Sequence, residues 1–290
     1  MSPAERPVPV GVFCKPEAEA TGAIQRVLEV LRQHGTLVLP DDNTAQAVGV
    51  PSAGSREDIA ARSRLVVSVG GDGTLLATAR AIGRREIPIL GVNLGSLGFL
   101  TETRCEEVGE VLGAALEGRA LIERRRVLQV THDGEDPRPD SVALNDVVFS
   151  NQHMARLFWL SLFVDGEWVA DYRADGLILA TPTGSTAYNL AAGGPLLVPG
   201  VDALTVTPIC PHSLSQRPLV VPGDARLSVR LAEGSGADGV YVTIDGQVGF
   251  PLEAGEQVDV CFAAHAVHLV RPGGRTFFST LRGKLGWGHP

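Results

Sequence analysis

A chain of 290 residues, 44% hydrophobic and 20% charged, carries enough apolar material for the cores of two domains. Its formal net charge of −8 argues against a nucleic-acid or anionic-membrane partner, since either would call for a basic surface. The four cysteines, Cys14, Cys105, Cys210 and Cys261, are scattered without Cys-x-x-Cys spacing, which argues against a disulfide framework or a thiolate zinc site.

Isolated thiols fit a reducing cytoplasm, the expected location, and the opening Met1-Ser2-Pro3-Ala4-Glu5-Arg6-Pro7 lacks the apolar run of a signal peptide. Val8–Cys14 then reads as a strand, followed by a helix with Ile24, Val27, Leu28 and Leu31 on one face. His34-Gly35 ends that helix and Thr36–Leu39 begins a second strand. The continuous apolar run Leu65–Val69 predicts a buried parallel strand, and Leu75, Leu76, Ala79 and Ile82 predict a helix beyond it. Between the two lies Gly70-Gly71-Asp72-Gly73-Thr74. Ile87–Val92 is a further strand, Asn93–Phe99 a second glycine-rich loop, and Val108, Val111, Leu112 and Ala115 mark another helix. This alternation predicts an α/β domain over residues 1–118, built on a Rossmann-like parallel sheet covered on both faces. Ligands of such sheets sit beyond the carboxyl ends of the strands, where both glycine loops fall.

From about Leu121 the period changes to two. Phe158–Val164 meets Glu167–Ala170 across Asp165-Gly166, and Val240–Ile244 runs into Asp245-Gly246, both hairpin signals. Arg226–Leu231, Gln257–Phe262 and Val267–Val270 also read as strands. Residues 119–290 are therefore expected to form an all-β domain of two packed antiparallel sheets. Thr276–Trp287 reads as a helix, and the tail 271–290 is a candidate to pack back on the first domain. Residues 176–201 carry no charge, but Pro182, Pro195 and Pro199 make them loops and short elements rather than a membrane span.

The chemistry centres on Asp72. Glycines at a strand-to-helix corner let backbone N–H groups approach a phosphate, and the helix start favours negative charge. A carboxylate there is repelled by the anion the corner would bind. It has a purpose if it takes a proton from a hydroxyl that attacks the phosphate. The plainer explanation is a turn with Asp72 capping the helix; three glycines around the acid, in this context, weigh towards a phosphate site made by Gly70, Gly71, Gly73 and Thr74. No Gly-x-x-x-x-Gly-Lys-Ser/Thr loop occurs, and the only lysines are Lys15 and Lys284. A phosphate clamp is therefore expected to use arginine, backbone and a metal ion.

Asn145-Asp146 interrupts an apolar strand, either as a bulge or buried pair or as a grip on a ribose diol or adenine edge. Thr181-Pro182-Thr183-Gly184-Ser185-Thr186 follows the strand Leu177–Ala180 and leads into a short helix, Ala187–Ala192. This hydroxyl-rich turn is a second corner for an anion or a ribose, with helix capping by Ser185 or Thr186 as the alternative. Gln247 by default is a solvated hairpin residue, Arg124-Arg125-Arg126 a solvated strand start, and the histidines show no metal-ligand spacing.

Taken together, these segments resemble the NAD kinase family. The likeness rests on Gly70-Gly71-Asp72-Gly73, Gly91–Leu100, Asn145-Asp146, Asp175–Tyr188, Pro208–Leu214, Asp245-Gly246-Gln247 and Leu281–Trp287. Gly-Gly-Asp-Gly alone is shared with diacylglycerol-type lipid kinases and phosphofructokinases, whereas the Thr-Pro-Thr-Gly-Ser-Thr-Ala-Tyr order discriminates far better. The resemblance implies transfer of a phosphate from ATP, or polyphosphate, to NAD, with Mg²⁺, in a cytoplasmic homodimer or homotetramer. It implies that Asp72 is the proton acceptor, that Gly73 lies against the dinucleotide and that Phe99 packs on adenine. Asn145 and Asp146 would contact adenosine. Arg156, Arg173, Asp175, Thr186, Ala187, Tyr188, Asn189, Leu190, Ala191 and Gln247 match further contact positions. Asp146 departs from the family, which more often has Glu there. Two other readings keep parts of the pattern. A lipid kinase would need an apolar groove where 181–186 is polar, and a non-catalytic NADP sensor would have no use for Asp72.

Overall fold

The computed structural model describes residues 7–15, 20–95, 98–133, 141–151, 158–233 and 240–287. Its chain divides into two compact units, one running to Arg124 and resuming at Val267, the other spanning Arg125–Ala266.

The first unit is α/β. Strand β1 (Pro9–Cys14) is followed by helix α1 (Ala20–Gln33), β2 (Leu37–Pro40), α2 (Asp42–Val48), α3 (Arg56–Arg62) and β3 (Leu65–Val69). Helix α4 (Asp72–Ile82), β4 (Pro88–Asn93), β5 (Thr103–Arg104) and α5 (Val108–Leu116) complete its first pass. β2, β1, β3 and β4 pair side by side, all parallel. Alternate residues of the strands explain the layering. Val10, Val12, Val67, Val69, Leu90 and Val92 share a core with Ile24, Val27 and Leu31 of α1 and Val111 and Leu112 of α5. On the other face Gly11 approaches Ile59 of α3 so closely that a Cβ would stand 3.0 Å from it. Helices α2 and α3 are absent from the sequence reading because seven residues are too few to display an apolar face. Their caps define them: Asp41 accepts from Thr44 N and Ser55 from Asp58 N.

The chain enters the second unit within β6 (Leu121–His132). There follow β7 (Val142–Ala143), β8 (Asp146–Asn151), β9 (Phe158–Val164), β10 (Glu167–Ala174), β11 (Gly176–Ala180), the four-residue α6 (Tyr188–Ala191), β12 (Ala203–Ile209) and β13 (Leu219–Pro222). β14 (Leu227–Leu231), β15 (Val240–Ile244), β16 (Val248–Leu252) and β17 (Gln257–Arg271) close the unit. One antiparallel sheet runs β13-β12-β11-β8-β15-β16, and a second joins β10, β9, β14 and the early part of β17. Phe149, Leu177, Leu204 and Val242 of the first sheet share one core with Phe158, Leu162, Val229 and Val260 of the second, as alternating strands require. Asp165-Gly166 and Asp245-Gly246 turn with positive φ, the conformation expected for these hairpins.

One expectation is corrected here. Gln257–Phe262 and Val267–Val270 are not separate strands but parts of the fifteen-residue β17. Its end returns to the first unit, where His268 and Leu269 pair in parallel with Pro88 and Ile89 of β4. Helix α7 (Phe277–Leu285), in the same unit, begins with a capping box of Thr276 and Ser279 and ends at Gly286 with φ 66°.

Candidate active site

In the first unit the glycine corner sits where β3 gives way to α4. The helix cap is Gly71, and no side chain caps it. Asp72 is the first helical residue, and its side chain turns away from its own helix. Oδ1 accepts from Leu100 N at 3.2 Å, Thr101 N at 2.9 Å and Thr101 Oγ1 at 2.9 Å, while Oδ2 accepts from Phe99 N at 2.9 Å. The helix-capping explanation of Asp72 is thereby set aside. The second glycine loop is its partner, held in turn by Asn93, whose amide donates to the carbonyl and hydroxyl oxygens of Thr101. Gly98 is obligatory in this arrangement, because a Cβ there would fall inside the Asp72 carboxylate. Ser96 and Leu97 of that loop lie outside the described residues.

The glycines of the corner differ. Gly70 is buried against Thr74, whose side chain a Cβ would overlap. Gly71 and Gly73 are exposed, and a Cβ on either would meet nothing within 4 Å. Packing does not require their bareness; close approach by another molecule would. They and Thr74 line a pocket of about 390 Å³ at the carboxyl ends of β1 and β3, shared with Lys15, Asn43 and Arg56. Lys15, one of only two lysines, belongs to no motif that would mark it in the sequence. Arg56 is held in place by Asp41, at 2.7 Å, and the Cys14 carbonyl, at 2.7 Å. Burial, the largest influence, raises the Cys14 thiol above its ordinary range, so this cysteine lines the pocket as a neutral group. Phe99 is half-buried, with Phe277 at 6.4 Å between ring centroids and the Lys284 ammonium 5.8 Å from its ring.

In the second unit three segments predicted as separate candidates converge. The Asp245 carboxylate accepts the N–H groups of Leu144, Asn145 and Asp146 at 2.9, 2.7 and 3.1 Å. Thr181 binds the same stretch, donating N–H to the Asn145 carbonyl and Oγ1 to the Leu144 carbonyl. Gly184 packs on the Asn145 backbone, where a Cβ would collide. The result presents Asn145 with its Oδ1 buried and without a hydrogen-bond partner among the described residues. A buried amide oxygen left unpaired is costly, so a polar ligand group at this point would be favoured. Gln247 is half-buried in the Asp245 turn, not the freely solvated hairpin residue that the default suggests.

Asp146 is 5% exposed, and burial, followed by the nearby Asp245 charge, pushes its carboxyl from 3.8 up to about 7. The folded chain thus holds a proton that the unfolded chain releases, and the contribution of this carboxyl to stability falls as pH climbs from about 3.8 to about 7, then levels. Asp146→Asn is accordingly expected to raise the melting temperature at pH 8 by about 5 °C or more and to change it little at pH 4. Thermal denaturation at the two pH values checks this; equal shifts at both would mean that the carboxyl ionises freely.

The turn 181–186 is mostly spoken for internally. Thr181 and Ser185 are fully buried, Ser185 Oγ donates to the Pro182 carbonyl, and Thr186 Oγ1 donates to the Thr183 carbonyl. Neither Ser185 nor Thr186 caps α6, whose cap is Ala187 without a side-chain bond. Burial of all of 176–185 explains that part of the charge-free run. Asn189 is fully buried with its amide saturated: Oδ1 accepts from Thr205 and Thr207, and Nδ2 donates to the Ser185 and Pro195 carbonyls. Thr186, Ala187 and Leu190 are half-buried, whereas Tyr188 and Ala191 are exposed. Arg125 corrects the solvated-strand expectation. It is 3% exposed and donates to Thr183 Oγ1 at 3.2 Å, placing a buried cation under the turn.

Arg173 and Asp175 are exposed at the far end of β11 from this cluster. Five strand residues separate them from Thr181, roughly 15–20 Å. Arg156 lies outside the described residues. His132, Asp133 and Glu256 lie together elsewhere in the unit, where the two carboxylates accept Gln257 N and Glu253 N as turn-closing groups. No helix among the described residues is long and apolar enough to cross a membrane.

Residues 10–120 match the family model described as ATP-NAD kinase N-terminal domain, and residues 144–272 match the ATP-NAD kinase C-terminal domain. The chain belongs to the NAD kinase family. Among its relatives, an NAD kinase of Solibacter usitatus is 45% identical over 281 residues, covering 96% of this chain and 97% of the relative. An NAD kinase of Geotalea daltonii is 41% identical over 281 residues, covering 96% and 98%. Among solved structures, yeast NADH kinase complexed with NADH matches with a TM-score of 0.85 at 29% identity, covering 99% of this chain and 90% of that one. The NAD kinase of Archaeoglobus fulgidus in complex with ATP matches with a TM-score of 0.78 at 26% identity, covering 94% and 98%. The chain is therefore a phosphotransferase with an alcohol group as acceptor.

Proposed function

We propose that this chain transfers the terminal phosphate of ATP to the 2′-hydroxyl of the adenosine ribose of NAD, giving NADP and ADP, with Asp72 as the proton acceptor. The ribose oxygen forms its bond to the terminal phosphorus as the bond to the bridging oxygen of ADP breaks. The hydroxyl proton passes to the Asp72 carboxylate. Oδ2 suits that part, since Phe99 N is its one partner among the described residues and a lone pair stays open. Gly71, Gly73 and Thr74 offer backbone and hydroxyl to the transferring phosphoryl group, and Lys15 and Arg56 set a positive field around the donor.

Mg²⁺ would enter with the donor, held by its phosphate oxygens and water, an oxygen set that fits this ion. It supplies neutralisation of phosphate charge; positioning and proton acceptance belong to the protein. Asn145 and Asp146 contact the adenosine part, with further contacts from Gln247 and Thr186–Ala191 of the same unit. For Asn189, a contact would have to come from its backbone. The observation that carries the reading is a carboxylate fixed at a glycine corner whose two exposed glycines leave room that the fold itself does not use.

The experiment is incubation of the purified chain with NAD, ATP and Mg²⁺, with NADP read by a coupled dehydrogenase. NADP formation supports the proposal, and binding without product overturns it. Asn145→Ala is expected to weaken NAD about tenfold and ATP hardly at all, as loss of one buried hydrogen-bond partner implies. Calorimetric titration with each ligand checks this, and equal losses would assign Asn145 to the fold.

We place the enzyme in the cytoplasm as a homodimer or homotetramer. Its four cysteines are free, in keeping with a reducing compartment. Arg173 and Asp175, remote from the cluster of their own chain, fit service to a neighbouring copy. Light scattering giving a monomer at working concentration would contradict this.

A further inference from the structure

The C-terminal segment is joined to the loop that holds Asp72 by an ion-pair network out of proportion to a mere chain end. Glu102, next to Thr101, is 4% exposed, and its Oε2 lies 2.6 Å from Arg271 Nε. Glu102 Oε1 accepts the hydroxyl of Thr280 in α7 at 3.1 Å. Arg271, itself 8% exposed, also pairs with Glu123. Arg275 donates to the Glu102 carbonyl and grips Glu107 with both terminal nitrogens, at 2.8 and 3.2 Å. Burial pushes Glu107 up, but the Arg104 N–H and the Arg275 guanidinium outweigh it and hold the carboxyl below its ordinary value. Phe277 and Lys284 then face Phe99, which donates its N–H to Asp72 Oδ2. Every donor that fixes the Asp72 carboxylate comes from residues 99–101, and segment 271–284 touches Phe99 on one side of that triplet and Glu102, the residue after Thr101, on the other.

We propose that residues 271–285 act as a strut that orients the Asp72 carboxylate through the 99–102 loop, making Arg271 and Arg275 positioning residues for phosphoryl transfer. The inference rests on the role of Asp72 proposed above. Nothing in it requires the segment to meet substrate. The buried Glu102–Arg271 pair costs desolvation and contributes little net stability when simply present, so its place behind this loop is explained better by geometry than by stability. Freed from the strut, the loop could shift by an ångström, and a reacting group displaced that far loses about 10- to 100-fold in rate.

The test is a double-mutant cycle in the full chain, with turnover and the NAD KM measured well below the melting temperature of each variant. Arg275→Ala is expected to lower kcat about 10- to 100-fold with KM within about threefold, and to add nothing further in the Asp72→Asn background. Glu107→Gln, which keeps the shape but loses the charge, is expected to lower kcat in the same direction and serves if Arg275→Ala does not fold. Near-wild-type kcat in the folded variant, or a loss that multiplies that of Asp72→Asn, overturns the strut while leaving Asp72 in its role. Full turnover by Asp72→Asn overturns the role of Asp72, and the strut with it.

Discussion

Asp72→Asn is expected to lower turnover by about 10²- to 10⁴-fold while NAD affinity stays near wild type, the share usual for a positioned general base. The substitution keeps size and removes the basic oxygen. It also disturbs the loop in a calculable direction. The carboxylate accepts four hydrogen bonds from Phe99, Leu100 and Thr101, whereas an amide has one accepting oxygen and sets an NH₂ group against the remaining donors. Hydrogen bonds to charged groups contribute roughly 1.5–3 kcal/mol each, so the melting temperature is expected to fall by several degrees as well. Steady-state kinetics, a binding titration and a melting curve on one preparation separate the two effects. Turnover near wild type would remove Asp72 from proton transfer, whatever the melting curve shows.

Gly73→Ala and Gly98→Ala add the same methyl group and are expected to have opposite signatures. At Gly73 the new Cβ stands in open space on the first turn of α4, so stability should hold or rise by up to about 1 kcal/mol. The methyl group nevertheless occupies the room proposed for the phosphoryl group, and kcat/KM for ATP is expected to fall about 10- to 100-fold. At Gly98 the Cβ would enter the Asp72 carboxylate. Overpacking of that kind costs about 1–3 kcal/mol, and the displaced carboxylate takes activity with it. Melting curves and ATP kinetics of both variants check the contrast. Full activity in a stable Gly73→Ala protein would mean that the open corner binds nothing during catalysis.

The two halves of the fold were legible because their periods differ. Apolar runs such as Leu65–Val69, buried throughout, alternate with amphipathic helices in the first unit. Alternating strands such as Val240–Ile244, buried at every second residue, fill the second. Local chemistry was legible too. Asp165-Gly166 announces its turn, and Gly70–Thr74 announces its corner, because the residues that matter are neighbours in the chain.

What the sequence concealed is pairing at long range. Asp72 meets Thr101 twenty-nine residues away, and Glu102 meets Thr280 after 178. No local pattern marks either bond, so the sequence offers a role for Asp72 and a helix for the tail without showing what holds either one. Arg125 read as solvated because it stands between two other arginines, and only the strand pleat turns it inward, at 3% exposure, to Thr183. Asn189 shows the other side: a polar residue matched to a contact position has its side-chain amide occupied by Thr205, Thr207 and two carbonyls, which the sequence does not reveal. Composition and spacing identify groups capable of binding; which of them are already satisfied is settled by the fold.

A crystal structure of the chain with NAD and a non-hydrolysable ATP analogue bears on all of this at once. The ribose 2′-oxygen is expected within about 2.6–3.2 Å of Asp72 Oδ2, and the terminal phosphate over Gly71 and Gly73. A 2′-oxygen whose nearest basic group is another side chain, with Asp72 still bound only to the 99–101 loop, would contradict this.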